Sequence, residues 1–248
     1  MPTVGEPAHR RPRRASRWLR RGVRVLAALL LVLTAGFAVL WAATPGVDDA
    51  RQRVAERLAE HGGIPLAGDA PPRIAAALLA TEDSHFHDHP GVDWRGVLRA
   101  PVGLLTGEDQ GGSTLHQQLA RILYEDGATD PGAKARAVVL AVKVDREWSD
   151  AEILRMYLDA AYFGHGFYGV GSAAQGYFGL PPEELDWAQA TVLVGLVQAP
   201  SAYDPFRAPE LAAARQEHVL DRLVAVGVLD RAEADDVAAR PWGLVGGS

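Results

Sequence analysis

The sequence predicts a mainly α-helical domain preceded by one membrane-spanning helix. Three observations carry that expectation: an uncharged apolar run near the N-terminus, several segments with apolar residues at three-to-four spacing, and a scarcity of alternating strand patterns. The chain has 248 residues, 48% of them hydrophobic. That suffices to bury one core of roughly 200 residues behind an N-terminal segment and leaves little room for a second catalytic domain.

The apolar run is Val25 to Ala43, nineteen residues without a charge. As a helix it spans about 28 Å against a hydrocarbon core of about 30 Å. Residues 1–24 carry eight arginines (Arg10, Arg11, Arg13, Arg14, Arg17, Arg20, Arg21, Arg24) against one acid, Glu6, while the whole chain is at −6. A basic tail can bind nucleic acid, but these arginines lack interleaved aromatics and lead straight into the apolar run, so no nucleic-acid partner is expected. The positive-inside rule instead holds residues 1–24 in the cytoplasm and sends residues 46–248 to the outer face of the membrane. Trp41 falls at the interfacial depth of a single-pass span at residues 25–43. A cleaved signal peptide is the alternative, disfavoured by the length of the run and the lack of a small-x-small cleavage site.

There are no cysteines. This removes disulfides, thiolate nucleophiles and Cys-based zinc sites, and leaves the redox compartment open.

Behind the anchor, helical spacing marks residues 73–81, 114–124, 134–146, 151–162, 188–198 and 211–226. Ser149 and Glu152 form an S-x-x-E capping box, after which Ile153, Leu154, Tyr157, Leu158 and Ala161 make one apolar stripe.

Five segments carry candidate chemistry. In Thr81 to Gly91 the acidic pair Glu82-Asp83 closes an apolar helix, where partial desolvation suits a carboxylate to acid–base work. A solvated helix end is the plain alternative. His85, His87 and His89 alternate in the same segment, and a metal site there lacks both cysteine and i, i+4 spacing. Gly111-Gly112-Ser113-Thr114 opens a helix whose free N–H groups suit an anion such as a diphosphate. Gln117, Gln118 and Arg121 follow within one turn and project donors together. The glycine-rich run from Tyr162 and Gly164 to Gly179 implies close backbone approach. Gln198-Ala199-Pro200-Ser201 reads as a proline-stopped helix end, and Arg215 lies on a helix before Val219-Leu220.

Taken in order, these segments resemble the motifs of the family 51 glycosyltransferases, meaning the transglycosylase module of bifunctional penicillin-binding proteins and the monofunctional peptidoglycan transglycosylases. The likeness covers about residues 70–225 and rests on Glu82, Asp83, Phe86, His89 and Gly91, on Gly111 to Gln118 with Arg121 at a lysine position, and on the three later motifs. The resemblance implies a lysozyme-like α lobe with a smaller, membrane-apposed lobe. It implies that the 4-hydroxyl of one lipid-linked disaccharide displaces undecaprenyl pyrophosphate from the growing chain, with lipid II and the glycan strand as partners. Glu82 would be the base, with Asp83 supporting local geometry. Phe86, His89, Gly112, Ser113, Thr114, Gln117, Gln118, Arg121, Lys134, Tyr162, Gly164, Gln198, Pro200, Ser201 and Arg215 would bind substrate. Magnesium or manganese is the implied cofactor, and a transpeptidase or other cell-wall protein a further partner.

The pattern departs in one helix. Counting without gaps puts Ala133 at a family arginine and Ala137 at a second family glutamate, with Asp145 fitting the acid that ends the series. Glu125, Asp126 and Asp130 in the preceding loop are alternative carboxylates. Arg155 and Asp159 stand where glutamate and asparagine are common. An active transferase of reduced rate is expected, with a non-catalytic lipid II-binding scaffold and a lytic hydrolase as alternatives.

Overall fold

The computed structural model describes residues 13–96, 113–128 and 130–245, with side chains from Leu19 onward. It divides into two compact units, Met1–Thr44 and Pro45–Ser248. The first contains helix α1, Arg13–Ala43. Within it Leu19–Ala43 contains an apolar stretch with a mean hydropathy of 2.5 and no buried residue, so the helix is long and apolar enough to cross a membrane. The helix takes in several of the arginines that precede the apolar run.

The second unit is helical, and among the described residues its only strand-like pairing is an isolated bridge between Tyr162 and Tyr168. Its helices are α2 (Ala50–Glu60), α3 (Pro72–Glu82), α4 (Leu115–Tyr124), α5 (Pro131–Glu147), α6 (Asp150–Ala160), α7 (Val170–Phe178), α8 (Trp187–Leu196), α9 (Pro209–Ala225) and α10 (Arg231–Ala238). The six segments with helical spacing correspond to α3, α4, α5, α6, α8 and α9. Helices α2, α7 and α10 were not anticipated. In α7 the glycines hide the pattern, because Gly171 and Gly176 occupy the packed face rather than breaking the helix: a Cβ on Gly176 would lie 2.1 Å from Phe167.

Local chemistry sets the ends. Thr114 caps α4, with Gln117 N–H donating to Thr114 Oγ1 at 3.2 Å and Thr114 N–H to Gln117 Oε1 at 3.3 Å. Asp130 caps α5 by accepting from the N–H groups of Gly132 and Ala133. Glu152 accepts from both the N–H and the hydroxyl of Ser149, fixing the start of α6.

Packing forms two groups of helices. Helices α2, α4, α5 and α6 pack together, α3, α8, α9 and α10 do likewise, and α7 bridges α6 and α8. Helix α8 is apolar all round and buried from Ala190 to Leu196, as a central helix must be. Tyr157, Tyr177, Phe163, Leu115 and Leu119 are among the largest fully buried side chains. Gly91 is one position where only glycine fits: its φ is +80°, and a Cβ would meet the Ala141 carbonyl oxygen at 2.5 Å. That close approach seats the loop after α3 on α5, and Thr114 Oγ1 fastens it by donating to the Gly91 carbonyl at 2.7 Å.

Candidate active site

Glu82 ends α3, in one helix group, and faces α4 and α6 of the other. A groove of about 380 Å³ opens there, lined by Glu82, Ser113, Gln118, Arg121, Tyr157 and Tyr162, and also by Gln198 and Pro200. Of the sequence-predicted residues, these seven other than Tyr157 converge on one cavity although they come from four separate motifs. Arg215 completes the set by donating from Nη2 to Glu82 Oε1 at 3.1 Å.

The carboxylate is held on both sides. Gln118 Nε2 donates to Glu82 Oε2 at 3.2 Å, and the Tyr157 hydroxyl donates to Gln118 Oε1 at 2.8 Å. Burial pushes the Tyr157 phenol well above its ordinary value, so it remains a donor and fixes which way the Gln118 amide points. The Arg215 guanidinium lies over the Tyr203 ring, and Gly195 on α8 leaves room for its stem, since a Cβ there would come within 3.1 Å of Arg215 Cγ. Glu82 is 15% exposed at its side chain, so a ligand in the groove can still reach it.

Asp83 turns the other way. Its Oδ2 accepts from Leu115 N–H at 3.0 Å at the start of α4, and its Oδ1 pairs with His89 Nε2 at 2.9 Å. Phe86 is buried against this cluster at the ring of His116. Asp83, Phe86 and His89 therefore build the wall behind Glu82 instead of lining the groove. Thr114 and Gln117 are occupied in the cap of α4. Gly164 has φ +90° and packs against Pro200, where a Cβ would come within 3.3 Å. It shapes the cavity wall through backbone approach. Ser201 is exposed at the chain turn beyond Pro200, and Lys134 is exposed on α5, neither among the lining residues. Gly111 and Gly112 lie outside the described residues.

Ala133 and Ala137 are buried, on the face of α5 that packs inward. The loop carboxylates do not replace the missing acid at the groove. Glu125 is gripped by Arg136 through two bonds at Nε, 2.8 and 3.0 Å, and Asp130 is spent on the helix cap. Among the described residues Glu82 is the one carboxylate lining the cavity.

Two residues escaped the motif reading. Tyr157 was assigned to the apolar stripe of α6, and its hydroxyl role follows only from burial beside Gln118. Arg57, on α2, lines the groove, donates from Nε to the Ala160 carbonyl at 3.1 Å and lies over the Tyr168 ring. The sequence signal for it is weak, because α2 lies outside the five motifs. The Arg155 and Asp159 departures form one unit: Arg155 donates to the Leu66 carbonyl at 2.8 Å and Asp159 accepts from Leu66 N–H at 3.0 Å, clamping a single residue of the preceding segment.

Comparisons with known proteins place the chain in a family. A family model described as transglycosylase matches residues 52–224. Penicillin-binding protein 1A of Mycolicibacterium smegmatis is 35% identical over 242 residues, covering 88% of this chain and 31% of that protein. Penicillin-binding protein 1A of Escherichia coli is 38% identical over 186 residues, covering 73% of this chain and 22% of that one. A Cupriavidus necator protein described as a transglycosylase is 36% identical over 182 residues, covering 73% of this chain and 78% of its own length. The chain thus spans a third or less of the penicillin-binding proteins it matches and most of the shorter relative. A crystal structure of penicillin-binding protein 1A from Haemophilus influenzae aligns over 74% of this chain and 18% of that one, at 22% identity and a TM-score of 0.44. By the match over residues 52–224 and the identity to the Cupriavidus necator relative, this chain belongs to the transglycosylase family.

Proposed function

We propose that the chain is a membrane-anchored peptidoglycan glycosyltransferase that polymerises lipid II into glycan strands. The observation that carries this reading is the fixed presentation of Glu82 on the groove by Gln118 and Arg215. Each carboxylate oxygen accepts one bond and keeps a further lone pair for a sugar hydroxyl.

In the reaction, the 4-hydroxyl oxygen of the acceptor disaccharide forms a bond to the anomeric carbon of the lipid-linked donor. The bond from that carbon to the diphosphate oxygen breaks, the hydroxyl proton passes to Glu82, and undecaprenyl pyrophosphate departs as the anion. Arg121 and Arg57 are the cations on the cavity wall that can meet the leaving charge. Ser113, at the entrance to α4, adds a hydroxyl there.

A divalent ion belongs to the proposal only through the substrate. The described groove supplies one carboxylate, already engaged by two donors, which is not a cage for a hard cation. Magnesium or manganese would be held mainly by the diphosphate oxygens and would neutralise part of their charge.

The arginines before the apolar helix favour a cytoplasmic N-terminus and an outward catalytic unit, where lipid II is presented. A smaller lobe apposed to the membrane and partnership with a transpeptidase remain part of the same reading. Ala137 favours a reduced rate, or a scaffold that binds lipid II without turning it over.

The test incubates purified full-length protein with lipid II and a divalent cation and resolves the glycan products, alongside Glu82→Gln. Polymer that disappears in the variant supports the transferase. Binding without polymer points to the scaffold, and shortening of preformed glycan points to a hydrolase.

A further inference from the structure

We propose that Asp83, His89 and His116 form a buried transition-metal site of the zinc type, behind the wall that carries Glu82. One ligand atom from each residue lies within 4.8 Å of the other two. Points so spaced share a centre no more than about 2.8 Å from each, against metal bonds of about 2.0–2.2 Å, so an inward shift of less than about 1 Å per ligand closes the site.

The second observation is the hydrogen-bonding state of the two imidazoles. His116 is fully buried, and neither its Nδ1 nor its Nε2 has a hydrogen-bond partner among the described residues. His89 Nδ1 is likewise buried without one. Buried polar atoms normally find partners, and an imidazole with two idle nitrogens is costly to bury unless something takes its lone pair. A metal ion does so directly.

Asp145 extends the set, because its Oδ1 lies 3.6 Å from His116 Nε2. That is beyond a hydrogen bond and close to the edge of about 3.3 Å between ligands in a tetrahedral zinc site. The side chains of Asp83, His89 and His116 are 4%, 5% and 0% exposed, which describes a closed structural site and not an open catalytic one. Two imidazoles with carboxylates, and no thiolate, suit zinc over calcium or magnesium. Burial pushes His116 down to about 4, leaving it neutral and able to ligate at neutral pH.

The alternating histidines of the sequence do not themselves converge. His87 pairs with Asp150 and His85 faces Asp93, so His89 alone turns inward, and its companion comes from the helix after Thr114. An ion here would fasten the loop after α3 to the first turn of α4 and reach toward α5 through Asp145. It is separate from any cation carried by the diphosphate, since none of its residues lines the groove.

The test uses full-length protein in detergent, stripped with chelator and then titrated with Zn²⁺ or Co²⁺ in the absence of any substrate. Wild type is expected to retain about one equivalent of zinc after gel filtration, and to show the visible absorption of tetrahedral Co²⁺. Its melting temperature should rise by several degrees with zinc. His116→Thr should lose all three signals, while His87→Ala, outside the cluster, keeps them. Should His116→Thr fail to fold, His116→Gln and the wild-type Co²⁺ spectrum decide the matter. Zinc content at background in wild type, absence of the Co²⁺ band, or equal binding by His116→Thr or His116→Gln overturns the proposal. Because every readout is metal binding, a failed polymerisation assay leaves this result standing, and the reverse also holds.

Discussion

The Gln118 side chain joins Glu82 to Tyr157, donating to the carboxylate at 3.2 Å and accepting from the phenol at 2.8 Å. The two ends of this relay come from different helix groups, Glu82 from α3 and Tyr157 from α6. The orientation of the groove carboxylate is thereby influenced by a residue 75 positions further along the chain, acting through Gln118.

Removing the phenol tests the relay. Tyr157→Phe keeps the packing but leaves Gln118 Oε1 without its donor, at a cost of about 1–3 kcal/mol. Polymerisation of lipid II should fall roughly tenfold with a smaller change in apparent affinity. An unchanged rate would show that Gln118 holds Glu82 unaided.

Arg215→Ala strips one of the two donors from Glu82. A charge-assisted bond of about 1.5–3 kcal/mol is lost, so the rate should drop by about 10- to 100-fold, with Arg215→Lys intermediate because a point charge replaces a planar fork. Initial rates of glycan formation for the three proteins check the order.

Arg57→Ala should raise the concentration of lipid II needed for half-maximal rate by about tenfold, since one cation leaves the groove wall. Rates measured across lipid II concentrations separate this from a loss in turnover, which is expected to be minor.

Asp159 offers a pH test. Burial raises its carboxyl above the ordinary value, so the folded state pays for its charge at neutral pH and is relieved as the group protonates. Asp159→Asn can still accept from Leu66 N–H and should stabilise the protein at pH 7. The advantage should shrink as pH falls toward the raised carboxyl value. Melting temperatures of both proteins between neutral and acid pH provide the measurement.

His116 acts with the opposite sign. Burial lowers it to about 4 from 6.5, so its contribution is intact above pH 6.5 and is lost as pH falls from there toward 4. In metal-free protein the loss is about 3 kcal/mol. His89, raised beside Asp83, titrates against this trend, so the informative quantity is the difference between wild type and His116→Thr. Chemical denaturation across that window should show the variant losing less stability than wild type.

Much of the fold was legible because the amphipathic helices announce themselves. α3, α4, α5, α6 and α9 bury residues at three-to-four spacing, α8 reads as a continuous apolar run, and the S-x-x-E signature at Ser149 marked a helix start that the Glu152 carboxylate makes real. Thr114 caps α4 through its reciprocal bonds with Gln117, and its hydroxyl also reaches the Gly91 carbonyl. Helix α7 was hidden because its glycines serve close packing, a use that composition cannot distinguish from a turn.

The order and chemistry of the motifs were determined by the chain alone: Glu82 as the candidate base, Gln118 and Arg121 on one helix turn, and an apolar segment flanked by arginines. Those are local properties, set by residue type and by spacing along one helix. Tertiary structure decided which side of the wall each residue faces. It turned Glu82 toward the groove and its neighbour Asp83 away from it, brought Arg57 and Tyr157 to the cavity, and gathered His89 with His116 while sending His85 and His87 elsewhere. Those outcomes depend on contacts between residues far apart in the chain, which form only when the two helix groups close on each other and most buried polar atoms find partners there.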